Sequence, residues 1–224
     1  MGNFFQQRDP TEVVAILVAF VVAITIHEFM HAWTAWRLGD DTAARLGRIT
    51  LNPIAHFDPI GFLGLALIAF GFWGFGWGKP VPVNVNRLHR GRFGQKASMA
   101  LVAGAGPLSN VVQAAVVALP LRLTGRSVSE FGDAGIYLWA FIQVNILLAA
   151  FNMIPVPPLD GHKILTGILP NFWYPVLAPL ERYGFMLLFL LIFIGGAAGA
   201  SIVSGMISPV ATVLNQVLVG DRLL

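Results

Sequence analysis

The feature that most constrains this chain is a run of apolar residues long enough to cross a lipid bilayer. The run extends from Val13 to Trp36, and Glu28 is its only formal charge. A membrane-spanning helix needs about 20 such residues. Because an ionisable side chain is costly inside a span, Glu28 indicates a functional site. The alternative is a polar patch that joins helices by hydrogen bonds.

Composition extends this reading to the whole chain. Of its 224 residues, 56% are hydrophobic and only 11% are charged, whereas soluble domains carry about 25% charged residues. The net charge of +3 is too small to indicate nucleic-acid binding. There is no cysteine, so disulfides and thiolate metal sites are excluded. The first residues, MGNFFQQRDPTE, lack the features of a signal peptide, and we expect the first span to be retained.

Further apolar stretches predict an all-α polytopic membrane protein with about five to six membrane segments. The stretches lie at roughly 11–37, 60–78, 97–122, 135–155, 175–197 and 200–219. The last is weaker, because Pro209 and Asn215 interrupt it. We expect one integral-membrane domain over 1–224, with a functional core at about 11–165 and C-terminal membrane helices at about 175–219.

The second stretch, 60–78, is rich in glycine and is followed by KPVPVNV. Alternation and two prolines favour an edge strand in that segment. We therefore predict a short helix or re-entrant loop and a small membrane-associated β element between the first and third stretches. An ordinary glycine-rich span is the alternative.

Basic residues support the prediction that 60–78 does not cross the membrane, and they indicate the orientation of the protein in it. They cluster between the first and third stretches, as Arg37, Arg45, Arg48, Lys79, Arg87, Arg90, Arg92 and Lys96. Since positive residues stay cytoplasmic, both ends of that segment are expected in the cytoplasm of a cell-membrane protein. The N-terminus and residues 122–134 would then lie outside.

The motif HEFMH within the first stretch carries metal chemistry. His27 and His31 are spaced i and i+4, so both imidazoles leave one helix face and can bind a single zinc ion. Glu28, next to the first histidine, is placed to act as a base toward water at that metal. The pattern predicts one Zn²⁺ per chain.

A third ligand is expected, because catalytic zinc usually has three protein ligands and an open position. Asp160, in FNMIPVPPLDGHKIL, is the best-placed carboxylate, since the charge pattern puts it on the same side as the two histidines. A role as helix N-cap is the alternative. His162 is expected to lie near the site without binding the metal.

Together, HEFMH, AGPLSN at 105–110 and FNMIPVPPLDG at 151–161 resemble the site-2 protease family of zinc intramembrane metalloproteases. GDDTAARLGRITLNPIAHFDPIG and WGKPVPVN resemble its short bacterial members, which lack PDZ and CBS domains. The resemblance covers about residues 20–165. It implies an endopeptidase that cleaves within or near the transmembrane segment of single-span membrane proteins during regulated proteolysis. The charge pattern described above would place the zinc site toward the cytoplasm.

The resemblance also implies residue roles. His27, His31 and Asp160 would hold zinc and Glu28 would activate water. Asn152 would help to hold the substrate or steady the transition state, although it could also cap a helix. Gly106 and Pro107 match a position where helices approach closely. One departure is His162, where the family often has a glycine.

An exposed strand edge could hold an unwound substrate by β-addition. Lys79, Val81, Val83 and Asn84 are the candidate substrate-binding residues, and a purely structural hairpin is the alternative. Three other functions are disfavoured. An ion transporter would need polar residues along several spans, an iron oxidase would need more histidines, and an inactive relative would lack catalytic residues.

Overall fold

The computed structural model describes residues 9–70, 76–88, 94–190 and 196–220. Within these ranges all regular secondary structure is helical, and no β-strand is present. The α-helices are α1 (Pro10–Arg37), α2 (Thr42–Arg45), α3 (Pro53–His56), α4 (Pro59–Ala69), α5 (Gly94–Thr124), α6 (Asp133–Asn152), α7 (Asp160–Ile168), α8 (Tyr174–Arg182), α9 (Gly184–Phe189) and α10 (Gly196–Leu214).

Four helical segments in the described part of the chain are long and apolar enough to cross a membrane. They are Pro10–Arg37, Gly94–Thr124, Asp133–Asn152 and Ile202–Val219, the last combining most of α10 with the π-helix Asn215–Val219. The first, third and fourth predicted stretches are therefore confirmed as span-length helices. The weaker last stretch also qualifies, despite Pro209 within its helix.

The prediction of five to six membrane segments is not confirmed, because two of the predicted stretches contain no helix of span length in their described residues. In 175–197, α8 ends at Arg182 and α9 at Phe189, so neither described helix reaches span length, and 191–195 lie outside the described residues. In 60–78, α4 has 11 residues, or about 16 Å at 1.5 Å per residue. That is about half of the bilayer core, in keeping with the predicted short helix, and residues 71–75 of the stretch lie outside the described residues.

The core of the fold is a bundle of α1, α5 and α6, with α7 packed against α5. Small residues allow these helices to approach closely, as is usual in membrane proteins: Ala15 and Ala19 of α1 meet Ala140 of α6 in one buried cluster. A second cluster joins α5 and α6 to the C-terminal segment through Ala118, Ile146 and Leu218. The bundle therefore fixes the depth at which α1, α5 and α7 present their polar residues.

The predicted β element is corrected to an extended segment without a partner strand in the described residues. Residues 76–84 have no regular secondary structure. Pro80 and Pro82 lack an N–H group, and the N–H groups of Lys79, Val81 and Asn84 donate to His56 O, Glu28 Oε2 and Asp40 Oδ2. Because these donors bond to groups outside any sheet, a ladder cannot form through them.

Candidate metal centre

The two histidines of HEFMH and Asp160 meet inside the helix bundle. His27 Nε2 lies 3.0 Å from His31 Nε2, and Asp160 Oδ2 lies 3.2 Å from the first nitrogen and 3.0 Å from the second. All three side chains are buried. Helix α1 supplies the histidines from consecutive turns, and the first residue of α7 supplies the carboxylate. These three form the one such candidate metal group in the described residues.

The donor set fits zinc. Two imidazole nitrogens and a carboxylate oxygen are ordinary zinc ligands, with bonds of about 2.0–2.2 Å. Tetrahedral coordination at such lengths separates neighbouring donor atoms by about 3.3 Å, close to the 3.0–3.2 Å seen here. No residue has to move far for all three donors to bind one ion.

Residues of α5 orient both imidazole rings through hydrogen bonds at Nδ1, the nitrogen that faces away from the centre. His27 Nδ1 lies 2.6 Å from Asn110 Oδ1, and His31 Nδ1 lies 2.7 Å from Val102 O. Each oxygen accepts a hydrogen bond from Nδ1–H, so that Nε2 is the nitrogen directed at the centre and the one that would bind a metal. Asn110 itself donates from Nδ2 to Asn145 Oδ1 at 2.9 Å, so α6 steadies the α5 residue that orients His27.

Asn110 is a site residue that sequence reasoning missed. It stands at the end of the quoted motif AGPLSN, but only Gly106 and Pro107 were given a role there. Its placement in an apolar stretch was the signal available in the sequence, because an amide inside a helix bundle needs hydrogen-bond partners; in the structure it is fully buried. The spacing of HEFMH cannot show which distant polar residue will meet Nδ1 of each histidine.

Gly106 lies directly against the two histidine rings. A Cβ atom at this position would collide with the imidazole ring atoms of both His31 and His27. The close approach predicted at Gly106 is thus confirmed, and it is an approach to the metal ligands themselves.

The Asp160 carboxyl is held in its charged form. Burial alone would raise its pKa, but the positive charge of His31 and His27 when their rings are protonated, and the hydrogen bonds from these rings, more than offset this effect and lower the pKa. Asp160 is the first residue of α7, where its charge also faces the positive end of the helix dipole. Its side chain makes no N-cap hydrogen bond, and the N-cap position belongs to Leu159. The alternative role of Asp160 as a helix cap is therefore not supported.

Several of the other predicted residues lie around one cavity of about 310 Å³. The triad, Glu28 and Asn152 line it together with mainly apolar side chains, among them Ile24, Trp77, Leu148, Phe151 and Phe185. Of the four candidate substrate-binding residues, Val81 and Val83 line the cavity, whereas Lys79 and Asn84 do not. A small group of polar side chains thus lines a mainly apolar cavity.

Glu28 and Asn152 are both held by backbone groups. Glu28 Oε2 accepts a hydrogen bond from Val81 N at 3.1 Å. Asn152 is the last residue of α6, and its Nδ2 donates to Leu148 O at 3.0 Å. His162 is buried beside the triad, but its Nε2 lies 3.4 Å from Glu181 Oε1 and it is not among the three grouped ligands.

Comparisons with known proteins agree with this arrangement. The model of peptidase family M50 matches residues 120–195, which include α6 and Asp160. "Putative zinc metalloprotease YwhC" of Bacillus subtilis is 37% identical over 186 residues, covering 80% of each chain. "Putative zinc metalloprotease Rip2" of Mycobacterium tuberculosis is 33% identical over 179 residues, covering 80% of this chain and 66% of its own. No solved structure matches the chain.

The similarity to YwhC covers 80% of each of the two proteins. The relatives' names and the donor set both give zinc as the cofactor. The chain therefore belongs to peptidase family M50, the site-2 proteases, and is a zinc metallopeptidase with several apolar helices of membrane-spanning length.

Proposed function

We propose that the protein is an intramembrane endopeptidase that cleaves a peptide bond within or near the transmembrane segment of a membrane-protein substrate. The observation that carries the proposal is the place of the centre in the chain. His27, Glu28 and His31 all belong to α1, a helix long and apolar enough to span a bilayer. A hydrolytic site built on such a helix is reached by substrates that are themselves in the membrane.

Glu28 is the general base in this proposal. Zinc, when bound, polarises the scissile carbonyl and lowers the pKa of the attacking water. The Glu28 carboxylate accepts the proton of that water and returns it to the leaving amine. The hydrogen bond from Val81 N holds Oε2 in place, while Oε1 has no hydrogen-bond partner in the described part of the chain and is free to take the proton.

Asn152 is proposed to donate a hydrogen bond to the oxyanion or to the substrate backbone. It lines the same cavity as the triad. One of its amide protons is used by Leu148 O, and the second is available because an amide nitrogen carries two. A donor aimed at the developing negative charge would supplement the metal.

The proposed substrates are single-span membrane proteins, and the proposed setting is regulated intramembrane proteolysis. The apolar lining of the cavity suits side chains from a transmembrane segment. The segment must unwind before cleavage, since helical hydrogen bonds shield its peptide groups. Val81 and Val83 remain proposed contacts for the unwound chain. Most backbone donors from Lys79 to Asn84 are already used, which leaves little for β-addition.

The proposed location is the cell membrane, with the zinc site toward the cytoplasm. The clustered basic residues support this orientation, because Arg37 ends α1 and Arg45 and Arg87 lie in the connection that follows it. His31 lies less than two turns before Arg37 in α1, so the centre is nearer to this basic end of the helix.

The test is zinc content and cleavage of a single-span peptide by purified protein in proteoliposomes. Glu28→Gln should keep zinc and lose cleavage, because it removes the base and leaves the three ligands in place. Glu12→Gln, at the far end of the same helix, is the matched control and should cleave normally. Unchanged cleavage by Glu28→Gln at full zinc would overturn the proposal.

A further inference from the structure

The motif GDDTAARLGRITLNPIAHFDPIG, residues 39–61, has no role in the chemistry described so far. In the structure its polar residues reach the extended segment 79–84. Asp40 Oδ2 accepts a hydrogen bond from Asn84 N at 2.6 Å, and His56 O accepts one from Lys79 N at 2.9 Å. The two ends of the extended segment are thus fixed by one motif.

Arg48 holds the same segment near its start. Its guanidinium donates to Lys79 O, and to Pro80 O at 3.3 Å. The residue is only 6% exposed, which is unusual for arginine, and in the described residues it has no carboxylate within ion-pair distance. A buried cation that donates hydrogen bonds to two consecutive carbonyl groups can fix the backbone of that segment.

His56 also contacts the guanidinium of Arg48. His56 Nε2 lies 2.8 Å from Thr50 O, so this nitrogen carries the proton and Nδ1 is an acceptor. Nδ1 lies 3.4 Å from Arg48 Nη2. Burial lowers the pKa of His56, in keeping with a neutral ring beside the guanidinium. The guanidinium of Arg48 therefore contacts His56 as well as the two carbonyl groups of the segment.

The middle of the extended segment 79–84 contacts Glu28, the proposed base. Val81, between two prolines, donates its N–H to Glu28 Oε2. Proline on each side stiffens the backbone around that single donor. The position of the Val81 N–H therefore depends on where Arg48 holds Lys79 and Pro80.

We propose that Arg48 is a positioning residue for hydrolysis: it fixes the segment 79–84 so that the Val81 N–H holds the Glu28 carboxylate toward the metal centre. The inference rests on the proposed role of Glu28 as the base. Arg48 touches neither metal ligand nor water in this scheme. Its loss should therefore lower kcat and leave zinc binding and KM largely unchanged.

The kinetic test uses the full chain in proteoliposomes with a single-span peptide. Arg48→Met should lower kcat by about ten- to a hundredfold, the loss expected when a reacting group is misplaced by about 1 Å. Arg48→Lys keeps the charge but cannot bridge both carbonyl groups in the same way, so its kcat should be intermediate. Arg45→Met, at an exposed arginine whose side chain bonds to Asp41, is the matched control and should leave kcat unchanged.

A double-mutant cycle separates positioning from general damage. Val81→Pro removes the N–H that reaches Glu28 and should lower kcat with zinc retained. If Arg48 acts through that contact, the double variant should lose no more than the worse single variant, because both changes remove one interaction. Multiplicative losses would overturn the proposal.

A labelling experiment tests, without a measurement of catalysis, whether Arg48 fixes the segment 79–84. The chain has no cysteine, so Val83→Cys gives a single thiol on the segment. Its rate of modification should rise when Arg48→Met or Arg48→Lys is added, and should not rise with Arg45→Met. An unchanged rate and an unchanged kcat in folded Arg48 variants would overturn the proposal. Absence of cleavage by the wild type would instead overturn the proposed function, and the labelling rate would still decide whether Arg48 fixes the segment.

Discussion

Asn110 Oδ1 accepts a hydrogen bond from His27 Nδ1 at 2.6 Å, across the interface between α5 and α1. This contact sets which nitrogen of His27 faces the centre, and Asn145 of α6 in turn sets the orientation of the Asn110 amide. The three helices of the bundle therefore meet at one ligand, and the metal affinity depends on their packing as well as on the ligands.

Removal of the Asn110 side chain should weaken metal binding. Without the acceptor at Nδ1, the His27 ring loses its fixed tautomer, and such changes typically cost about 10- to 100-fold in metal affinity. Zinc retention by Asn110→Ala against a graded chelator measures the effect. Gln113→Ala, less than one turn further along α5, is the control, because the Gln113 side chain donates to Ala23 O at 3.5 Å and Asn110 is the partner of His27 Nδ1. Equal retention by both variants would reduce Asn110 to a packing residue.

The glycine against the histidine rings should be intolerant of even one methyl group. Gly106→Ala places a Cβ in collision with both imidazole rings, so we expect loss of zinc and of cleavage. Gly104→Ala is a matched control on the same helix, because its new Cβ would meet only Ile164 Cδ1 at 4.0 Å. Zinc content and peptide turnover of the pair would show the contrast. A Gly106→Ala protein that resembles Gly104→Ala in both would contradict it.

Asp160 should be essential to the metal and His162 should not. Asp160→Ala leaves two imidazoles and is expected to lower zinc occupancy sharply, since one of three protein ligands is lost. His162→Ala removes a buried side chain directed at Glu181 and should keep zinc. Metal analysis of both variants at equal protein concentration decides the question. Full zinc in Asp160→Ala with depletion in His162→Ala would reverse the assignment.

Local rules explain why the ligands could be predicted and their supports could not. The i, i+4 spacing places His27 and His31 on one face of any helix, and the lack of cysteine leaves few candidates for a third ligand. The roles of Asn110, Arg48 and Asp40 depend on long-range packing, which no spacing in the sequence encodes.

The errors in the fold prediction have a similar origin. Alternating valine and proline in KPVPVNV favoured a strand, but its backbone donors bond to Asp40, His56 and Glu28 from other parts of the chain. The span predicted at 175–197 is not confirmed, since α8 and α9 end at Arg182 and Phe189 and 191–195 lie outside the described residues. Length and hydropathy predict helix content, whereas tertiary contacts decide how each segment is used.

The connection between α1 and α5 should lie on one side of the membrane. Helix α4 is too short to cross, and the basic residues on both sides of it favour the cytoplasm. Single cysteines at Leu46 and Asn86, both exposed, should show the same sidedness toward a membrane-impermeant thiol reagent in intact cells and inverted vesicles. Opposite sidedness would mean that 60–78 crosses the bilayer.

Asn152 allows two readings that differ in their kinetics. If its side chain only bonds to Leu148 O at the end of α6, Asn152→Asp should keep most activity. If it donates to the oxyanion or the substrate backbone, both Asn152→Asp and Asn152→Leu lose that donor, and Asp adds a repelling charge. We expect the second result, with a loss of roughly 10²–10³ in rate for one such donor. The measurement is turnover of a single-span peptide by both variants, with zinc content determined in parallel. Near-normal turnover by either variant at full zinc would leave Asn152 a structural role alone.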